Sequence, residues 1–235
     1  MAIKAILFDL DGTLLPMDQA VFIKAYFGGL CKRVAPHGYD PEQLVNAIWK
    51  GTAAMVKNTG EETNEKVFWN ALVDIFGERI LEEYPTFEAF YEEDFPKVQS
   101  SCGYDARAKR VIEAVKEKGF RTALATNPLF PSVATENRIR WAGLELSDFE
   151  FFTTYENSRH CKPNLDYYRD VLERIGLAPE ECMMVGNDVS EDMIAESRGM
   201  RVFLLTDCLI NKENKDISVY PHGGFDELID YIRAM

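Results

Sequence analysis

Residues 5–16 read AILFDLDGTLLP. Ala5, Ile6, Leu7 and Phe8, with Leu10 beyond, have the apolar character of a buried strand. Asp9 and Asp11 interrupt that run, and Gly12 follows at once. A carboxylate is costly to desolvate, and alternation along a continued strand would put Asp9 and Asp11 on one face. Two like charges that close either raise one pKa or call for a cation. Asp11-Gly12 also reads as a plain turn with Asp9 a solvated neighbour, so the rest of the chain has to choose.

Four further apolar runs have strand character: 120–125 (FRTALA), 149–153 (FEFFT), 182–185 (CMMV) and 201–205 (RVFLL). Helical spacing fills the gaps. Residues 105–118 put Ala108, Val111, Ile112 and Val115 on one face, with Gly119 placed as a C-terminal cap. Residues 164–175 end at Gly176 and 190–198 at Gly199 in the same way. Short apolar strands alternating with helices imply crossover units and a parallel sheet.

Residues 17–96 differ, with one helical pattern after another and no clear strand. Asp40-Pro41-Glu42-Gln43 has an N-cap, a proline at the first helical position and a capping-box residue. The run 64–76 ends at Gly77, and Pro16 and Pro96 flank the whole segment. It reads as a helical subdomain inserted after the first strand, with Phe22, Tyr26, Phe27, Trp49, Phe68, Trp69 and Phe76 as its own small core. Residues 1–16 and 97–235 then form the α/β core.

Polar residues follow each of three core strands: Asp9 and Asp11; Thr126 and Asn127; then Asn187, Asp188 and Asp192. In an open parallel sheet the ligand lies outside the carboxyl ends of the strands, so these clusters share one crevice. Lys162-Pro163, opening the helix after the run 149–153, reaches the same rim. Clustered carboxylates need a hard cation, and oxygen-only ligation suits magnesium. Cation, lysine and backbone amides together suit a phosphoryl group. One aspartate is left to act as a nucleophile through an acyl phosphate.

In this combination and order, D-x-D-G-T-L at 9–14, Thr126-Asn127, Lys162-Pro163 and G-N-D-x-x-x-D at 186–192 resemble the haloacid dehalogenase-like hydrolase superfamily. The resemblance covers 1–16 and about 97–205, and the insert lies where that family's C1-type cap lies. It implies a Rossmann-like parallel sheet core with an inserted α-helical cap, Asp9 as nucleophile and Asp11 as general acid and then base. It further implies phosphoryl contacts from Thr126, Asn127 and Lys162. Magnesium would be held by Asp9, the Asp11 carbonyl and Asp188, with Asp192 in or beside that shell. The family usually has Asp directly after the glycine; here Asn187 takes that place, so Asp188 is the expected ligand and Asn187 the less expected one. The dehalogenase branch lacks the second aspartate of the first motif, so Asp11 favours phosphoryl over carbon–halogen chemistry.

The expected function is therefore magnesium-dependent hydrolysis of a small-molecule phosphate monoester. A phosphomutase using the same aspartyl phosphate is the alternative, and a non-catalytic binding member of the fold a further one. A receiver-like signalling domain would be much shorter and have no helical insert. Net charge of −13 argues against nucleic acid or an anionic membrane as partner. Five cysteines without a C-x-x-C pair fit free thiols in a reducing cytoplasm. His160, Cys161, His37 and His222 lack ligand spacing and read as loop residues. Lys50 and Lys57 read as surface lysines.

Overall fold

The first apolar run forms strand β1, Ala5–Phe8, with every residue buried. The computed structural model describes residues 2–235. From β1 the chain enters helices α1 (Gln19–Val34), α2 (Pro41–Val56), α3 (Asn64–Phe76) and α4 (Tyr84–Ala89). Side-chain caps set the starts of the first three: Asp18 accepts from Ala20 and Val21, Asp40 from Gln43, and Thr63 from Lys66. The polypeptide then alternates through α5 (Arg107–Glu117), β2 (Arg121–Leu124), α6 (Ser132–Trp141), α7 (Leu165–Ile175), β3 (Cys182–Gly186), β4 (Arg201–Leu205), β5 (His222–Gly223) and α8 (Phe225–Ala234).

All strands pair in parallel, in the order β2-β1-β3-β4-β5. The apolar core lies on both faces of that sheet. Ile6, Phe8, Met183, Val185 and Phe203 pack on one face; Ala5, Leu7, Ala123, Met184 and Val202 pack on the other. From β1 the chain steps to β2 on one side and then crosses to β3 on the other. The crevice at this reversal, at the carboxyl ends of β1 and β3, is where an open α/β sheet binds its ligand.

The helical insert leaves and returns at one place. Met17 and Cys102 form an antiparallel bridge, and the Gly103 N–H donates to the Pro16 carbonyl at 2.7 Å. Pro96 does not end the insert's helical run: it sits in the first turn of a short 3-10 segment, Phe95–Ser101, a position where its missing N–H goes unused.

Two expectations change. Residues 149–153 do not form a full strand. Glu150 and Thr153 hydrogen-bond to β2 carbonyls and Leu124 donates to the Phe151 carbonyl, but only Phe152 forms an isolated bridge, to Leu124. The run 190–198 is helical only over Met193–Arg198, as a 3-10 segment ending at Gly199 in the left-handed conformation. All five cysteines are free. Among the described residues no helix is long and apolar enough to cross a membrane.

Candidate active site

Asp9 is the first residue beyond β1, and its N–H donates to the Val185 carbonyl, which fixes it against β3. Its side chain is nearly buried and doubly engaged. Lys162 Nζ stands 2.9 Å from Oδ1, and Thr13 Oγ1 lies 3.0 Å from Oδ2. Lys162, 1 % exposed, also reaches Asp192 Oδ1 at 2.6 Å. Burial alone would push the Lys162 ammonium down, but Asp192 and Asp9 outweigh it and hold it well above its usual value. The lysine is therefore a fixed positive charge between two aspartates.

Asp192 uses both oxygens, since Oδ2 accepts from the Asp188 N–H at 2.9 Å. Gly186 is required beside it, because a Cβ there would collide with the Asp192 carboxylate. Asp188 Oδ1 caps the turn that follows, accepting from Ser190 and Glu191 N–H at 2.7 and 3.0 Å. Asn187 is brought closer to Asp9 than its sequence position suggested. Its Nδ2 donates to the Cys208 carbonyl at 2.7 Å, so its Oδ1 turns inward and accepts from Thr13 Oγ1 at 3.0 Å. Thr13 thus bridges Asp9 and Asn187. Gly12, at φ 85°, passes against the Asn187 amide where any Cβ would clash.

The structure does not gather Asp9, Asp11, Asp188 and Asp192 into one ligand set. Among the described residues no three His, Cys, Asp or Glu side chains form a group that could hold a metal ion. Asp192 is spent on Lys162 and a backbone amide, and the Asp11 carboxylate turns to Arg138. Asp9, Asp188 and the Asn187 carbonyl oxygen, each also holding a hydrogen bond, are oxygen donors lining one cavity. That donor chemistry fits a hard divalent cation.

Asp11 pairs through Oδ2 with Nη1 of Arg138 on α6, while its Oδ1 is buried without a hydrogen-bond partner. Burial pushes the Asp11 carboxyl up and Asp9 adds to the rise, against the pull of Arg138. Sequence reasoning missed Arg138. Its only signal there is helical spacing with Ala134 and Trp141, which puts a charge on the buried side of α6.

Thr126 and Asn127 follow β2. The Thr126 carbonyl accepts from Tyr167 Oη at 2.9 Å and Thr153 Oγ1 at 2.6 Å, which leaves the residue rigid and 1 % exposed. Asn127 Oδ1 accepts from the Lys162 N–H at 3.3 Å, and its Nδ2 donates to Glu191 Oε2 at 2.9 Å. Burial also pushes the Glu191 and Asp192 carboxyls up. Five carboxylates (Asp9, Asp11, Asp188, Glu191, Asp192) here face two cations, Lys162 and Arg138, so a phosphate dianion needs a further positive charge.

Asp9, Asp11, Thr126, Asn127, Asn187, Asp188 and Asp192 line one cavity of about 690 Å³. Six of the seven aromatics expected to be only the insert's core also line it, Phe76 being the exception. Lys50 and Lys57 do not line it, as expected of surface lysines. His160 is paired with Asp170 at 2.6 Å and His37 with Glu83 at 2.9 Å, away from the cavity.

The family model for haloacid dehalogenase-like hydrolases matches residues 3–195, the span that carries every one of these residues. The chain belongs to the haloacid dehalogenase-like hydrolases. It is 26% identical over 196 residues to a phosphoglycolate phosphatase of Aquifex aeolicus, covering 83% of this chain and 80% of that protein. A pyrophosphatase of Oceanobacillus iheyensis is 26% identical over 202 residues, with 84% and 80% covered. Among solved structures, a haloacid dehalogenase-like phosphatase from Thermococcus onnurineus shares the fold at a TM-score of 0.60 and 20% identity, over 98% of each chain.

Proposed function

We propose that this hydrolase cleaves small-molecule phosphate monoesters through an aspartyl phosphate on Asp9. The observation that carries the reading is the pairing of Asp9, fixed by Lys162 and Thr13, with Asp11 two residues on, a carboxyl whose pKa burial raises against the pull of Arg138. Asp9 stands beside a lysine and Asp11 carries a raised pKa, an asymmetry that suits the division of labour in acid–base chemistry.

In the first step an Asp9 oxygen attacks phosphorus, the bond to the leaving oxygen breaks, and Asp11 gives that oxygen its proton. In the second, Asp11, now ionised, takes a proton from water, whose oxygen attacks phosphorus. Inorganic phosphate leaves and the Asp9 carboxylate is restored. Thr126 and Asn127 hold the phosphoryl oxygens, and Lys162 balances their charge. Around that covalent step, positioning and electrostatic stabilisation of the phosphoryl oxygens do the rest.

Asp9, the Asp11 carbonyl, Asp188 and the Asn187 Oδ1 would hold magnesium, with Asp192 anchoring Asp188 and Lys162 beside it. The ion would supply the positive charge that the site's carboxylates and an incoming phosphate require. Residues 17–96 are read as a C1-type cap that closes over a core of 1–16 and 97–235. Phosphate release from a panel of monoesters, run with magnesium and with excess chelator, tests the function. Turnover should appear with the metal and vanish with chelator; undiminished turnover in chelator would remove magnesium from the mechanism.

A further inference from the structure

We propose that the site selects phosphate esters of uncharged aromatic or bulky apolar alcohols and rejects leaving groups that carry a second negative charge. The inference rests on the phosphatase reading above and names its substrate class.

A phosphoryl group needs only the rim formed by Asp9, Thr126 and Asn127, whereas the cavity has about 690 Å³. That volume suits a whole organic ligand. Beyond the rim the wall carries the rings of Phe22, Tyr26, Trp49, Phe68, Trp69 and Phe130. The hydroxyls of Tyr26 and Tyr91, both in the lining, are hydrogen-bonded to each other at 2.9 Å, so the pair keeps only one donor free. Trp49 keeps 46 % of its surface exposed, although it stands 5.5 Å from Phe27 in an aromatic pair. A large apolar face left open in a cavity is a natural surface for a flat partner.

Charge points the same way. The distal lining carries Glu88, Glu92, Glu136 and Glu156. Among the described residues that line the cavity, Lys212 is the one cation, and it is exposed. Arg140 offsets Glu136 from outside, at 3.2 Å. Glu156 spends Oε1 on the Ser132 N–H at 2.8 Å, while its Oε2 is buried with no hydrogen-bond partner. Carboxylates and phosphates are recognised by arginine forks or lysines, and an anion set among these glutamates is repelled. A carboxylated leaving group such as glycolate, or a second phosphate as in pyrophosphate, therefore meets the wrong field. The two relatives named for phosphoglycolate and pyrophosphate share about a quarter of their residues with this chain, which leaves room for a different pocket.

The test compares kcat/KM for 2-phenylethyl phosphate, phosphoglycolate and pyrophosphate, with 4-nitrophenyl phosphate as an activated reporter of phosphatase chemistry. The arylalkyl ester should lead both anionic substrates by at least about tenfold. Glu156→Gln should shrink that lead by about threefold, the scale of one screened charge. Glu88→Gln, on an exposed position of α4, repeats the test without touching the Ser132 contact. Turnover of 4-nitrophenyl phosphate with phosphoglycolate or pyrophosphate equal to or above the arylalkyl ester overturns the substrate class alone. A lead that neither variant changes overturns the charge argument. Failure to turn over any of the four compounds in magnesium defeats the phosphatase reading, and this inference with it.

Discussion

Arg138, without exposed surface, pairs its guanidinium with Asp11, whose other carboxylate oxygen is buried with no hydrogen-bond partner. The arginine cannot swing away easily. Its Nε donates to the Ala134 carbonyl at 3.3 Å, and its guanidinium lies 4.5 Å over the Phe130 ring. Asp11 is thus held between two opposing influences: burial raises its pKa and Arg138 lowers it. Such tuning keeps one group usable both as acid and as base.

Arg138→Gln removes the lowering influence, so the Asp11 pKa should rise further. Water attack needs Asp11 ionised, and the acid limb of kcat for 4-nitrophenyl phosphate should move to higher pH. A pH–rate profile measures this directly. If the variant merely melts earlier and its profile stays in place, Arg138 supports the fold and does not tune Asp11.

Asp11→Asn should separate the two half-reactions. Its proton transfer is worth about 10²–10⁴ in rate. Nitrophenolate leaves without help, whereas an alkoxide needs the proton. Rapid-quench measurement should show a burst of nitrophenol followed by slow turnover, and no burst from an alkyl ester. Equal loss of the burst with both esters would make Asp11 a structural residue.

The site was legible where chemistry follows a strand. Asp9, Thr126 and Asp188 each sit just past an apolar run, and a parallel sheet brings such positions to one edge. Lys162 was legible through its place before α7, although 153 residues separate it from Asp9. Arg138 was not, because a charged residue in a helix ordinarily faces water and nothing local marks its partner 127 residues away. Apolar composition showed that Phe22, Phe68 and Trp69 are covered; it could not show that part of what they face is a cavity. Residues 149–153 have strand composition, but their irregular pairing with β2 depends on the loop geometry around Asp148. There the Thr122 hydroxyl, on β2, donates to the Asp148 carbonyl.

Asp148 offers a stability test away from the site. Burial would raise its pKa, but Lys116 at 2.6 Å, the Glu145 N–H and Lys109 at 3.1 Å outweigh it, and the net shift is downward. A depressed carboxylate stabilises the fold above its unfolded pKa and loses that contribution as pH falls through its folded pKa. Asp148→Asn should cost about 1–3 kcal/mol near neutral pH. Urea unfolding at several pH values should show the gap between the two proteins closing below about pH 4. A gap that does not change with pH would mean the charge contributes nothing.

The covalent step on Asp9 is tested most directly by acid-quenching the enzyme during turnover and mapping the phosphoryl adduct by peptide mass. The adduct should lie on the peptide containing Asp9, at that residue. Asp9→Asn should fold normally, lose about 10⁴-fold or more in turnover, and carry no adduct. An adduct that persists in Asp9→Asn, or maps to another residue in the unaltered protein, contradicts the assignment of Asp9 as nucleophile.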